Sequence, residues 1–157
     1  MTPVLRRLLL LPLLLASALF GTAHAAAPTL NLDAYKGKVV YVDFWASWCG
    51  PCKQSFPWMK AMHEKYSKDG LVILAINVDQ EKPKADAFLK EFTPSFPVIF
   101  DSTGTLASQF KVQTMPSSYM LDRNGKPRFK HLGFHDAKRA VYEKEIHDLL
   151  SESVTTP

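Results

Sequence analysis

Two cysteines occur in the 157 residues, Cys49 and Cys52, with two residues between them. Such a pair can close a small disulfide ring or offer two sulfurs to a metal. Two cysteines alone cannot build a multi-disulfide scaffold, so burial must hold the fold. Gly50 permits the turn between them and Pro51 stiffens it. The pair stands where a turn opens a helix. A helix N-terminus favours thiolate through its unpaired N–H groups and its dipole. Thiolate is the attacking species in disulfide exchange, so this placement makes the first cysteine reactive near neutral pH. Cys49, nearer the exposed end, is expected to attack a partner disulfide. Cys52, one turn further in, is expected to resolve the mixed disulfide.

The elements that must position this pair follow from pattern. Val39 to Phe44 is a β-branched and aromatic run, suited to a buried central strand, with Asp43 as its anomaly. After the cysteines, Phe56, Met59, Met62 and Tyr66 share one helical face. Pro57 lies inside that helix and is expected to remove one backbone bond and kink it, and Asp69-Gly70 to end it. Leu71 to Ile76 reads as a second strand. Pro83 suits a first helical turn, followed by Ala85, Phe88, Leu89 and Phe92 on one face. Pro97 to Phe100 is a short extended piece, and Asp101 to Gly104 a turn. Ser117 to Leu121 reads as a strand, and Asn124-Gly125 signals a hairpin that returns Arg128 to Leu132 antiparallel. Asp136 is expected to cap a last helix with Tyr142, Ile146, Leu149 and Leu150 inward. Strands that alternate with helices early and form a hairpin late imply an α/β fold, a central mixed sheet flanked by helices.

The first 25 residues read as a secretory signal peptide, leaving 26–157 as one domain. Arg6 and Arg7 are its basic start, Leu8 to Phe20 its apolar run, and Ala23-His24-Ala25 its cleavage pattern. The run would span about 20 Å as a helix, short of the roughly 30 Å hydrocarbon core. Cleavage is expected near Ala25 or Ala27, with no stable membrane insertion afterwards and a periplasmic location. Disulfides persist in such compartments. The net charge of +4 rests partly on Arg6 and Arg7, and without them 17 basic residues face 15 acidic ones. So small an excess gives no reason to expect nucleic acid as a partner.

Phe44-Trp45-Ala46-Ser47-Trp48-Cys49-Gly50-Pro51-Cys52-Lys53, with Pro57 five residues on, resembles the thioredoxin active-site segment. Ile76-Asn77-Val78-Asp79, Phe96 to Asp101 and Met115 to Gly125 resemble the TlpA/ResA-like branch. The likeness covers about Leu32 to Leu150. It implies a thioredoxin fold and protein dithiol–disulfide exchange with Cys49-Cys52 as the redox-active disulfide and no bound cofactor or metal. It also implies a cis Met115-Pro116 peptide beside the dithiol, with the Met115 backbone free to pair with a substrate strand. Asp43 matches the buried acid of thioredoxin. A carboxyl in an apolar strand has a raised pKa and is expected to take the proton of Cys52. Trp48 is expected to form a partner-binding platform, and Trp45 to support the core. Many TlpA/ResA-like proteins carry a buried glutamate where this chain has Gln80, with Glu81 one step later. That departure makes Asp43 the expected proton carrier.

The resemblance and the Gly-Pro dipeptide favour a reductase, recharged by a membrane thiol reductase of the DsbD or CcdA type. Apocytochrome c enters as a substrate by analogy alone. Three alternatives stand beside this reading. One is an oxidase or isomerase, since direction is set by potential. Another is a binding or chaperone module without turnover. The third is a zinc site from Cys49, Cys52, His131 and His135, although 78 residues separate the pairs.

Overall fold

Val39–Trp45 (β1) is buried at every position, as expected of a strand with packing on both faces. In the computed structural model, which describes residues 30–153, it is the centre of a five-stranded sheet. Leu71–Asn77 (β2) pairs with it in parallel, and Val98–Phe100 (β3) pairs in parallel with β2. On the other side Ser117–Leu121 (β4) runs antiparallel to β1, and Pro127–Leu132 (β5) antiparallel to β4. The order is β3-β2-β1-β4-β5. The signal-peptide reading lies outside the described residues. Among the described residues no helix is long and apolar enough to cross a membrane.

Among the described residues the α-helices are Gly50–Tyr66 (α1), Lys82–Phe92 (α2), Thr105–Gln109 (α3) and Arg139–Ser151 (α4). Two parallel crossovers that step the same way across a sheet place their helices on one face. Accordingly α1 and α2 share a core with α4, built on Val39, Tyr41 and Trp45 of β1. Trp45 packs its ring 4.7 Å from both Phe56 and Phe88. The alternate residues Val40, Val42 and Phe44 point to the second face, which α3 and residues Leu30, Leu32 and Tyr35 cover.

Several sequence expectations meet local detail. The first helix runs through Pro57 to Tyr66, and a 3₁₀ turn ends at Gly70 with φ +106°. Pro83 falls in the first turn of α2. The Asn124-Gly125 hairpin forms, and Asp122 organises it by accepting the backbone N–H groups of Asn124 and Lys126 through Oδ1, each at 3.0 Å. The last helix corrects an expectation. Asp136 opens a 3₁₀ turn, Asp136–Lys138, and α4 begins at Arg139 with no side-chain cap. Asp136 instead pairs with Arg139 at 2.6 Å. Sequence reading gave no element to residues 105–114. There α3 forms because Leu106 is buried in the second core and Asp101 Oδ2 accepts the N–H of Ala107 at 2.8 Å.

Candidate active site

The strand β1 ends at Trp45, and the chain turns through Ala46 to Trp48 before α1 begins. Asp79, buried after β2, holds that turn. Its carboxylate accepts the Ser47 N–H and hydroxyl, both at 2.9 Å, and Asn77 Nδ2 at 2.8 Å. In the sequence Asp79 stands only within the stretch Ile76-Asn77-Val78-Asp79 that resembles the TlpA/ResA-like branch, and this work is not legible there. Its only signal is a carboxylate just past a buried strand, where an orphaned loop N–H needs an acceptor.

Cys49 is the N-cap of α1, and its Sγ accepts the N–H of Cys52 at 3.2 Å. A side chain at this position takes up a helix donor that otherwise has no partner. Cys49 and Cys52 are joined as a disulfide, with Cα atoms 5.3 Å apart. Both are buried, Cys49 at 3% and Cys52 at 0% exposure, so the contrast expected between them is small. What separates them is the surface they reach. An open groove of about 470 Å³ is lined by Trp48, Cys49, Gly50 and Pro51 on one side and by Val112 to Met115 on the other. Cys49 borders it and Cys52 does not. Trp48 stands 69% exposed at its rim.

The opposite wall leads into a cis Met115-Pro116 bond. Two hydrogen bonds fasten this loop. Ser117 Oγ donates to the Thr114 carbonyl at 2.7 Å, and Gly133 N–H donates to the Pro116 carbonyl at 2.8 Å.

Asp43 is fully buried. Alternation along β1 puts its side chain on the same face as Tyr41 and Trp45, the face that carries α1 and Cys52. Its Oδ1 accepts the Ser118 hydroxyl at 2.7 Å, and its Oδ2 has no hydrogen-bond partner. Burial raises its pKa to about 7, against the opposing pull of the Ser118 hydrogen bond. Gln80 and Glu81 are both exposed, so neither stands in for a buried glutamate. The zinc alternative finds no cluster. Among the described residues no three His, Cys, Asp or Glu side chains gather to hold a metal. His131 Nε2 instead lies 2.8 Å from Glu145.

The structure thus holds a Cys49–Cys52 disulfide at a helix N-terminus, with Cys49 bordering an open groove and the buried Asp43 on the sheet face that packs against the same helix. The Redoxin family model matches residues 20–146 of this chain. The chain belongs to the Redoxin family. Thiol-disulfide oxidoreductase ResA of Geobacillus thermodenitrificans is 34% identical over 96 residues, 61% of this chain and 55% of that protein. ResA of Bacillus subtilis is 32% identical over 97 residues, 62% of this chain and 54% of its own length. This Redoxin-family chain thus spans just over half the length of the curated relatives it matches. Among solved structures, a Chlorobium tepidum protein assigned as thiol:disulfide interchange protein DsbE superposes with a TM-score of 0.75 at 43% identity, covering 76% of this chain and 85% of its own. StoA from Bacillus subtilis superposes with a TM-score of 0.60 at 26% identity, covering 69% and 84%. The fold is the thioredoxin fold.

Proposed function

We propose that this chain is a protein thiol–disulfide oxidoreductase that works as a reductase through Cys49 and Cys52. One observation carries the reading: Cys49 caps α1 and borders the open groove between Trp48 and Met115. In the reduced protein the Cys49 thiolate keeps the Cys52 N–H as a donor, and the helix dipole favours its charge. It attacks one sulfur of a substrate disulfide. The other substrate sulfur leaves as a thiolate. Cys52 then gives its proton to Asp43 and attacks Cys49, and the second substrate sulfur leaves. Two electrons pass from the dithiol to the substrate, and the Cys49–Cys52 disulfide forms. An extended substrate strand pairs with the Met115 backbone ahead of Pro116, and Trp48 supplies an apolar platform. Gly50 and Pro51 shape the turn.

The proposed setting is the periplasm after removal of 1–25, where a reductase needs electrons from a membrane thiol reductase. Apocytochrome c is one fitting substrate, since its cysteines must be reduced before haem attachment. The test is an equilibrium titration of the purified protein against a dithiothreitol or glutathione buffer. A potential close to that of thioredoxin, about −270 mV, is expected. A value near about −120 mV makes the protein an oxidant, and a dithiol that never titrates removes the redox assignment.

A further inference from the structure

The strand that follows the groove loop also carries the one hydroxyl on the buried acid. Ser118 lies two residues past Pro116, and in the β1–β4 register its partner is Asp43. Both side chains are buried, Asp43 at 0% and Ser118 at 3% exposure. Among the described residues the Ser118 hydroxyl is the one hydrogen-bond donor on Asp43. We propose that Ser118 is a positioning residue for the dithiol chemistry: by occupying Oδ1 of Asp43 it leaves Oδ2 to take the proton of Cys52. This rests on the reading of Asp43 as the proton carrier. In the step, the Cys52 Sγ–H bond breaks and an Oδ2–H bond forms. Cys52 Sγ bonds to Cys49 Sγ, and the substrate sulfur leaves with its electron pair. Ser118 keeps its own proton throughout.

The surroundings leave this role to Ser118. On β2 the residue paired with Asp43 is Ala75, which offers no polar side chain. On β1 itself Tyr41 shares the face and stays neutral, its pKa raised by burial and by Asp43 against the opposing pull of a hydrogen bond with Ser118. From α4, the charges of Tyr142 and Glu145 would act on Tyr41 through space, and from α1 Cys52 faces the same core. On β5 His131 is paired with Ser118 across the ladder, and its Nε2 lies 2.8 Å from Glu145. A carboxylate held by one short hydrogen bond and otherwise buried is sensitive to that bond, because a hydrogen bond to a charged group outweighs a neutral one.

The test compares the full chain with Ser118→Ala, Ser118→Thr and Asp43→Asn. Two readouts are taken on the reduced proteins: the ¹³C carboxyl titration of Asp43, and the pH profile of single-turnover reduction of insulin disulfides. Ser118→Ala is expected to raise the Asp43 midpoint by about one unit, the size of one lost hydrogen bond to a charged acceptor. The rate profile should move the same way, and Ser118→Thr should restore both. A lower rate at every pH with unmoved midpoints overturns the proposal, because a purely structural role acts that way. So does failure of threonine to restore the profile. If Asp43→Asn keeps the inflection, the proton-carrier reading falls and takes the proposal with it. If Asp43→Asn removes the inflection while Ser118→Ala moves nothing, the proposal alone falls.

Discussion

Asp43 shows how one side chain works against the fold that holds it. Its carboxyl is fully buried with one donor among the described residues, and its pKa stands near 7 against 3.8 for a free aspartate. A folded pKa above the unfolded value means that the folded state binds the extra proton between pH 4 and 7. Stability is therefore full below about pH 4 and is lost as the pH rises through 7. Three units correspond to about 4 kcal/mol. Asp43→Asn removes the charge and keeps the shape. The variant is expected to match the wild type near pH 4 and to exceed its stability by about 2–4 kcal/mol at pH 8, measured by urea unfolding at each pH. Equal pH dependence in both proteins would show that Asp43 is ionised without penalty. The same variant tests chemistry at a second scale, because its expected gain in stability accompanies a loss of exchange rate.

At the scale of elements, the end of α1 has a backbone demand that few residues meet. Gly70 adopts φ +106°, and a Cβ there would sit 3.0 Å from Arg123 Nη1. That guanidinium is already committed. It donates to the carbonyls of Gly37, Asp69 and Leu150 and so ties the β4–β5 turn to the ends of α1 and α4. Gly70→Ala combines a left-handed backbone with a crowded arginine. It is expected to lower stability by about 1–2 kcal/mol or more, read as a lower urea midpoint with an unchanged slope. The hairpin is a second case of an element set by one side chain. Asn124-Gly125 is compatible with many turns, and the Asp122 carboxylate selects this one by holding two backbone donors.

For the whole molecule, one face of the sheet carries the dithiol and the other carries little more than α3 and a lead-in segment. The face that carries the cysteine pair depends on α4, whose Tyr142 packs on Trp58 and whose Ile146 joins the same core as Tyr41. Ile146 is fully buried. Ile146→Ala is expected to destabilise the protein by about 2–5 kcal/mol, a transfer loss plus the cavity that remains. The loss should appear as a melting temperature lowered by many degrees, with the reduction potential little changed. A large shift in potential would mean that α4 packing sets the dithiol chemistry directly.

Residues 39–77 were the most legible in the sequence. Their apolar runs have clear periods, and the C-x-x-C pair with its tryptophans and prolines is a local pattern. Local sequence therefore determined the central strand, the following helix, the second strand and the two cysteines that form the disulfide. It determined the hairpin as well, through Asn124-Gly125. It missed α3, because five residues are too few for a period to emerge and Leu106 is held by the second core. It misplaced the start of α4, because Asp136 finds Arg139 rather than a helix donor. Only the tertiary structure decided which groups meet. Ser118 reaches Asp43 across 75 residues and Asp79 reaches Ser47 across 32, through strand register and loop placement. Contacts of that separation leave no trace in local pattern, since a serine in an apolar strand reads the same with or without a carboxylate opposite it.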